Sequence, residues 1–264
     1  MIQYLQFDTD LHTKYHNNSQ KIRILSESWM EKNSYCPYCG KNLYHYPNNK
    51  PVADFYCNSC NEDFELKSKH NKLGLKIVDG AYNTMLKRLS SNNNPHFFFM
   101  SYQNNEVKDL ILVPKHFFTK NLIEKRKPLA NNARRSGWIG CNILLSQIPN
   151  SGKIFYIKDR HIIDTKEVLY SFQKTLFLKD KNSNLKGWLL DIMKCIDKIQ
   201  KPIFNLNDIY KFEKELQIKH PNNNFIKDKI RQQLQYLRDK GYLEFKGQGK
   251  YHLRDDFNPP DKNI

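Results

Sequence analysis

Apolar positions along the chain follow one set of patterns up to about residue 180 and another beyond it. In "NSQKIRILSESWMEK" (18–32), Ile22, Leu25 and Trp29 recur at spacings of three and four, which predicts an amphipathic helix with Ser19 as its cap. "GAYNTMLKRLS" (80–90) reads as a second helix. "HFFFMSYQ" and "DLILVPKHFF" are apolar runs of strand length separated by the polar turn "NNEVK", and "SGKIFYIKD" (151–159) is a further strand. Helices and strands mixed around one core predict an α/β domain over 1–180. "LKDKNSNLKG" (178–187) is polar and charged and reads as a linker.

Three helical patterns follow. They are "GWLLDIMKCIDKI", then "FNLNDIYKFEKELQIK" with Asn207 or Asp208 near its start, then "NNFIKDKIRQQLQYLRDKG". The third places Ile226, Ile230, Leu234 and Leu237 on one face, and Gly241 stops it. "YLEFKGQGKYHL" reads as two strands joined by the tight turn "GQG". Three helices and a β-hairpin predict a winged helix-turn-helix domain over 181–254. Residues 255–264 are expected to form a disordered tail.

Composition adds a partner to this picture. The chain has 264 residues, 39% of them apolar, with 16 Phe and 15 Tyr, which is enough for a packed core. Its net charge of +16 points to a polyanion, nucleic acid above all. Residues from 181 onward carry 17 Lys and Arg against 11 Asp and Glu, so both predicted domains are basic. No stretch near the N-terminus combines a basic start, an apolar run and a small-residue cleavage site, and no apolar run approaches bilayer length. A cytoplasmic protein without membrane contact is expected, and in that compartment its six cysteines are not expected to form disulfides. Cys141 and Cys195 stand alone and are expected to be buried.

The other four cysteines are paired. Cys36-Pro-Tyr-Cys39 and Cys57-Asn-Ser-Cys60 are separated by seventeen residues, the spacing of a two-knuckle, four-cysteine zinc site. Four thiolates leave no open position, so the expected zinc is structural.

An acid–acid–lysine set is interleaved with the second pair. Asp54 lies on "VADFYC" and Glu65 and Lys67 on "DFELKSK", read as two arms of a hairpin whose turn holds Cys57 and Cys60. Glu65 and Lys67 are two apart, so on a strand they share a face. Two carboxylates, with the Leu66 carbonyl as a further ligand, suit Mg²⁺ beside a phosphate. A neighbouring lysine can orient a water or stabilise developing charge. This arrangement resembles the PD-(D/E)xK nuclease superfamily, except that Ala53 stands where the superfamily has proline. Longer strings in order, among them "SYCPYCG", "PVADFYCNSC", "DGAYNTMLKR", "ARRSGWIGCNI" and "KIRQQLQYLRDK", resemble the DpnI-type family of methyl-directed type II restriction endonucleases over nearly the whole chain.

That resemblance implies a mixed sheet flanked by helices with an embedded zinc module, a winged-helix domain, and Mg²⁺-dependent cleavage of double-stranded DNA at GATC sites carrying N6-methyladenine. Asp54, Glu65 and Lys67 fall where the family's catalytic residues fall. Arg134, Arg135 and Trp138 in "ARRSGWIG" are candidates for DNA contact, with Trp138 either facing the groove or lying in the core. On the third helix of the second domain, Lys227, Arg231, Gln232 and Gln235 lie opposite the apolar face; Gln suits adenine and Arg suits guanine. Lys246 and Lys250 suit wing contacts to phosphates. A monomer could cut the two strands in turn. The competing class is a non-catalytic transcriptional regulator built from a zinc module and a winged helix; it has no use for the acid–acid–lysine set. An RNA-binding protein fits the winged helix less well.

Overall fold

The computed structural model describes residues 2–12, 17–47, 53–91, 94–179 and 183–254. The expected tail lies outside the described residues. The chain divides into two compact units, Met1–Ser146 with Gly152–Leu176, and Gln147–Ser151 with Phe177–Ile264.

The first unit runs in the order α1 (Asn18–Asn33), β1 (Tyr44–His45), β2 (Phe55–Tyr56), β3 (Asp63–His70), β4 (Ile77–Ala81), α2 (Tyr82–Leu89), β5 (His96–Gln103), β6 (Glu106–Val113), β7 (Ile123–Lys125), β8 (Gly140–Ile143), β9 (Ile154–Lys158), β10 (His161–Ile162) and α3 (Thr165–Gln173). One mixed sheet has the order β1-β2-β3-β5-β6-β9-β10, and a second has the order β4-β8-β7. Among the described residues only β3 and β5 pair in parallel in the large sheet, the connection between them running through β4 and α2.

The aromatic run of β5 is buried on both faces of the sheet, which is why it reads as continuous rather than alternating. Phe98 and Met100 join the core formed with Leu25, Trp29 and Met30 of α1 and with Val168 and Phe172 of α3. Phe97 and Phe99 point the other way and are also fully buried. Two short loops close hairpins with both central residues at positive φ, Asn104-Asn105 (53° and 58°) and Asp159-Arg160 (49° and 67°), the twist that suits two-residue turns. The turn is therefore Asn104-Asn105 alone, and Glu106 to Lys108 of "NNEVK" already belong to β6. The cap of α1 is Asn17, not Ser19; the Asn17 side chain accepts the Ser19 amide at 2.8 Å.

The second unit comprises α4 (Ser183–Ile199), β11 (Ile203–Asn205), α5 (Leu206–Tyr210), α6 (Glu213–Lys219), α7 (Ile226–Asp239), β12 (Leu243–Phe245) and β13 (Lys250–Leu253), with strand order β11-β13-β12. This is a winged helix-turn-helix arrangement. Helix α4 takes Ser183 to Gly187 from the expected linker. The expected second helix is in fact a strand and two short helices. Phe204 and Asn205 pair with β13, and Asn205 then caps α5 in a reciprocal box with Asp208. Gly241, at φ +74°, ends α7: its amide bonds to the Arg238 carbonyl and that of Tyr242 to the Leu237 carbonyl, a Schellman closure. Cys141 and Cys195 are both buried.

Candidate active site and metal centre

The two Cys-x-x-Cys turns are built alike. The Cys36 amide bonds to the Lys41 carbonyl and the Gly40 amide to the Cys36 carbonyl; the Cys57 amide bonds to the Glu62 carbonyl and the Asn61 amide to the Cys57 carbonyl. Each turn needs a left-handed residue just after its second cysteine. Gly40 supplies it at φ +73° and Asn61 at +54°, one of the few side chains that tolerate it. The four sulfur atoms lie within 4.8 Å of one another, and Cys39 Sγ is 3.6 Å from Cys57 Sγ. A tetrahedron of Zn–S bonds of about 2.3 Å has edges of about 3.8 Å, so the cluster could bind a metal such as zinc. Burial pushes the Cys36 and Cys60 thiols up, whereas for Cys39 burial is outweighed by hydrogen bonds from the Lys41 backbone and the other cysteines, which bring it down; a bound cation would favour the thiolate form of the set.

The second turn is also tied to the large sheet. Glu62 Oε2 meets the Lys115 ammonium and lies 3.3 Å from His96 Nε2. Burial opposes the Glu62 charge, but hydrogen bonds from His96 and Lys115 outweigh it and bring the carboxyl down to about 2. The hairpin of β2 and β3 is thereby fixed at its tip.

On its arms stand the acid–acid–lysine residues. Strand β2 is only two residues long, and Asp54 sits at a bend just before it rather than within a strand. Its amide bonds to the Phe64 carbonyl at 2.9 Å, and its Oδ2 accepts the Leu66 amide at 2.8 Å. The Asp54 carboxylate thus lies against the residue between Glu65 and Lys67. In a strand the N–H and C=O of one residue point to the same edge, so the Leu66 carbonyl also faces the Asp54 side.

Strand β3 alternates as the period of two requires. Phe64 and Leu66 face the core beneath α1 and α3. Glu65 and Lys67 take the opposite face, in register with Phe97 and Phe99 of β5. Lys67 Nζ is 2.6 Å from Glu65 Oε1 and 2.5 Å from Asp79 Oδ1 of β4, while Arg88 of α2 reaches Glu65 Oε2 at 2.7 Å. Burial works against the Lys67 charge, but Glu65 and Asp79 overcome it and raise its pKa. For Asp54 burial dominates and the carboxyl is raised, with Glu27 of α1 adding to the rise. Glu27 itself bonds Arg23 at 2.6 Å and lies 3.4 Å from His45 Nε2.

Asp79, Arg88 and Glu27 carry no sequence signal that ties them to the site. No local spacing links them to Asp54 or Lys67; they arrive on three separate elements, β4, α2 and α1, and only packing brings them in.

The remaining candidates are carried by other elements. Arg134 and Arg135 are exposed in the loop between β7 and β8, which holds Arg126 and Lys127 as well. Trp138 is half-buried, neither a core residue nor fully presented. Its ring lies over Gly140, where a Cβ would come within 2.8 Å of it. In the second unit, Lys227, Arg231, Gln232 and Gln235 are exposed on α7, opposite buried Ile226, Ile230, Leu234 and Leu237. Arg231 pairs with Asp228, and Lys229 donates to Gln232 at 2.7 Å. Lys246 and Lys250 are exposed beside the turn, where Gly247, Gln248 and Gly249 all have positive φ. Among the described residues no helix is long and apolar enough to cross a membrane.

Two family models match the chain. The model described as DpnI: Dam-replacing family matches residues 3–181, and DpnI_C: Dam-replacing HTH domain matches residues 182–253.

Proposed function

Because the chain belongs to the DpnI, or Dam-replacing, family and carries its helix-turn-helix domain, we propose that it is a Mg²⁺-dependent type II endonuclease. Its substrate is double-stranded DNA at GATC sites carrying N6-methyladenine. One observation carries the catalytic part: the Asp54 carboxylate is hydrogen-bonded to the amide between Glu65 and Lys67, with the Lys67 ammonium 2.6 Å from Glu65. A DNA-binding regulator has no use for that set.

The donors fit a hard cation. They are oxygens, two of them anionic, and Asp54 ionises at a cost that a nearby positive charge would relieve. Asp54, Glu65 and the Leu66 carbonyl would hold Mg²⁺, which when bound neutralises charge on the scissile phosphate and lowers the pKa of a coordinated water. The Leu66 amide fixes the Asp54 carboxylate. Lys67 keeps its proton and donates from a fixed position, to orient the attacking water or to stabilise charge developing on the phosphate. Zinc on Cys36, Cys39, Cys57 and Cys60 is structural and holds the hairpin that carries these groups.

DNA is read in two places. Arg134 and Arg135 contact phosphates or guanine edges near Trp138. In the winged helix, Lys227, Arg231, Gln232 and Gln235 enter the major groove, and Lys246 and Lys250 hold phosphates. One buried methyl group contributes roughly 1 kcal/mol, and discrimination by one methylene seldom exceeds about 200-fold. Two units that each test the site multiply their discrimination. The protein acts as a cytoplasmic monomer that cuts the two strands in turn.

The test is to incubate the protein and Mg²⁺ with plasmid from adenine-methylating and from non-methylating hosts. Only the methylated plasmid should be cut, at GATC. Cutting of neither removes the nuclease function; cutting of both leaves a nuclease without methyl dependence.

A further inference from the structure

We propose that Asp79 is a positioning residue for Lys67, holding its ammonium in place when Glu65 turns to the metal. This rests on the nuclease function proposed above for Asp54, Glu65 and Lys67. In the structure Lys67 Nζ lies between two carboxylates, Glu65 Oε1 at 2.6 Å and Asp79 Oδ1 at 2.5 Å. Both Glu65 oxygens are engaged by cations, since Arg88 holds Oε2 at 2.7 Å. A Glu65 that lends an oxygen to a cation loosens its hold on Lys67. Asp79, on β4, is not one of the groups that would hold the metal and would stay on the ammonium.

The local backbone supports the assignment. The Asp79 side chain is only 6% exposed, and a buried carboxylate is retained where it has a cationic partner. It is presented by an irregularity in the β4–β8 ladder, where the register shifts between Asp79, opposite Cys141, and Ala81, opposite Gly140. Such bulges re-aim a side chain beside active sites. Lysine sits on a flexible four-carbon stem, so its donor is only as well placed as the groups that hold it.

The experiment measures single-turnover cleavage of a methylated GATC duplex at saturating Mg²⁺, the Mg²⁺ concentration for half-maximal rate, and duplex affinity without Mg²⁺. Asp79→Asn and Asp79→Glu are compared in the native chain, and Asp79→Asn also in a Lys67→Ala background. Near-UV circular dichroism and bound zinc report folding. Asp79→Asn should slow cleavage about 10²-fold, the cost of a misplaced catalytic group. Duplex affinity should stay within about threefold, a change worth well under a tenfold step. Asp79→Glu, which returns a carboxylate, should recover part of the rate. In the Lys67→Ala background Asp79→Asn should cost nothing further.

A native-background rate within threefold of wild type overturns the proposal. So does an equal loss with and without Lys67, or a fall in duplex affinity that matches the fall in rate. If Asp79→Asn does not fold, Asp79→Ser is read in its place. If Lys67→Ala and Asp54→Ala cut at the wild-type rate, the nuclease site itself is wrong; if they do not and Asp79→Asn does, only the positioning role is wrong.

Discussion

Burial pushes the Asp54 carboxyl above the usual carboxylate range; the Leu66 amide, Lys67 and Arg23 pull it down without overcoming that, and Glu27 adds to the rise. The sign of the consequence follows from linkage. A carboxyl whose folded pKa is raised favours the folded state below its unfolded pKa, and that contribution is lost as pH rises through the folded value. Once ionised, Asp54 therefore costs the metal-free protein stability. Asp54→Asn keeps an oxygen for the Leu66 amide but removes the charge. It should raise the Tm of metal-free protein, with each kcal/mol worth about 2–4 °C in a chain of this size. The same change should lower cleavage by about 10²–10³-fold, as expected when a group stabilising the transition state is lost. Thermal scans beside cleavage assays check both. A variant that melted lower and still cut would refute this account of the residue. Asp54, Glu65 and Lys67 were legible because they are close in the chain around a hairpin. Asp79 and Arg88, which complete the ring of charges, were not.

Among the elements, the cysteine hairpin was the most legible, since a Cys-x-x-Cys pair states its own geometry. The two turns share one hydrogen-bonding scheme, with Gly40 and Asn61 in equivalent left-handed positions. Cys57→Ser should break the metal site and release the arms that carry Asp54 and Glu65. The expected outcome, if the cluster holds zinc as proposed, is loss of bound zinc and of cooperative unfolding together, because metal binding and folding are coupled in structural zinc sites. Metal analysis and thermal denaturation would show it, and a folded, zinc-free, active Cys57→Ser would contradict it. Strand β5 was equally plain, being a long apolar run; of "DLILVPKHFF" only Asp109 to Val113 is strand, because Pro114 ends β6 and Lys115–Phe117 form a 3-10 turn. The second helix of the winged domain departs from its sequence rhythm, because "FNLNDIYKFEKELQIK" keeps a helical pattern through Phe204 and Asn205. The pairing of those residues with β13 overrode it, and Asn205 became a cap. The expected linker is shortened for a related reason: α4 begins at Ser183, in polar sequence a helix can use as its first turn, and residues 180–182 lie outside the described residues.

At the scale of the whole molecule, two units with basic surfaces give the proposed enzyme two chances to test one site. The exposed face of α7 offers Arg231 and Gln235, whose loss should leave the core face of Ile226, Ile230, Leu234 and Leu237 untouched. Arg231→Ala with Gln235→Ala should weaken binding of methylated GATC duplex by about 1–3 kcal/mol per lost base contact. Catalysis at saturating protein should persist. Binding titrations on methylated and unmethylated duplexes decide this, and unchanged affinity would exclude α7 as the reading helix.

The sequence by itself determined what is local or summed: a basic chain, four cysteines at zinc spacing, a hairpin carrying two acids and a lysine, an amphipathic third helix closed by Gly241. Each is written in neighbouring residues, where periodicity and turn chemistry act directly. Only the tertiary structure decided what surrounds Lys67 and Asp54. The parallel pairing of β3 with β5, the bulge in β4 and the packing of α1 and α2 bring Asp79, Arg88 and Glu27 to the site from distant parts of the chain. A charge has no periodicity of its own, so its partner across a fold is fixed by packing and not by spacing.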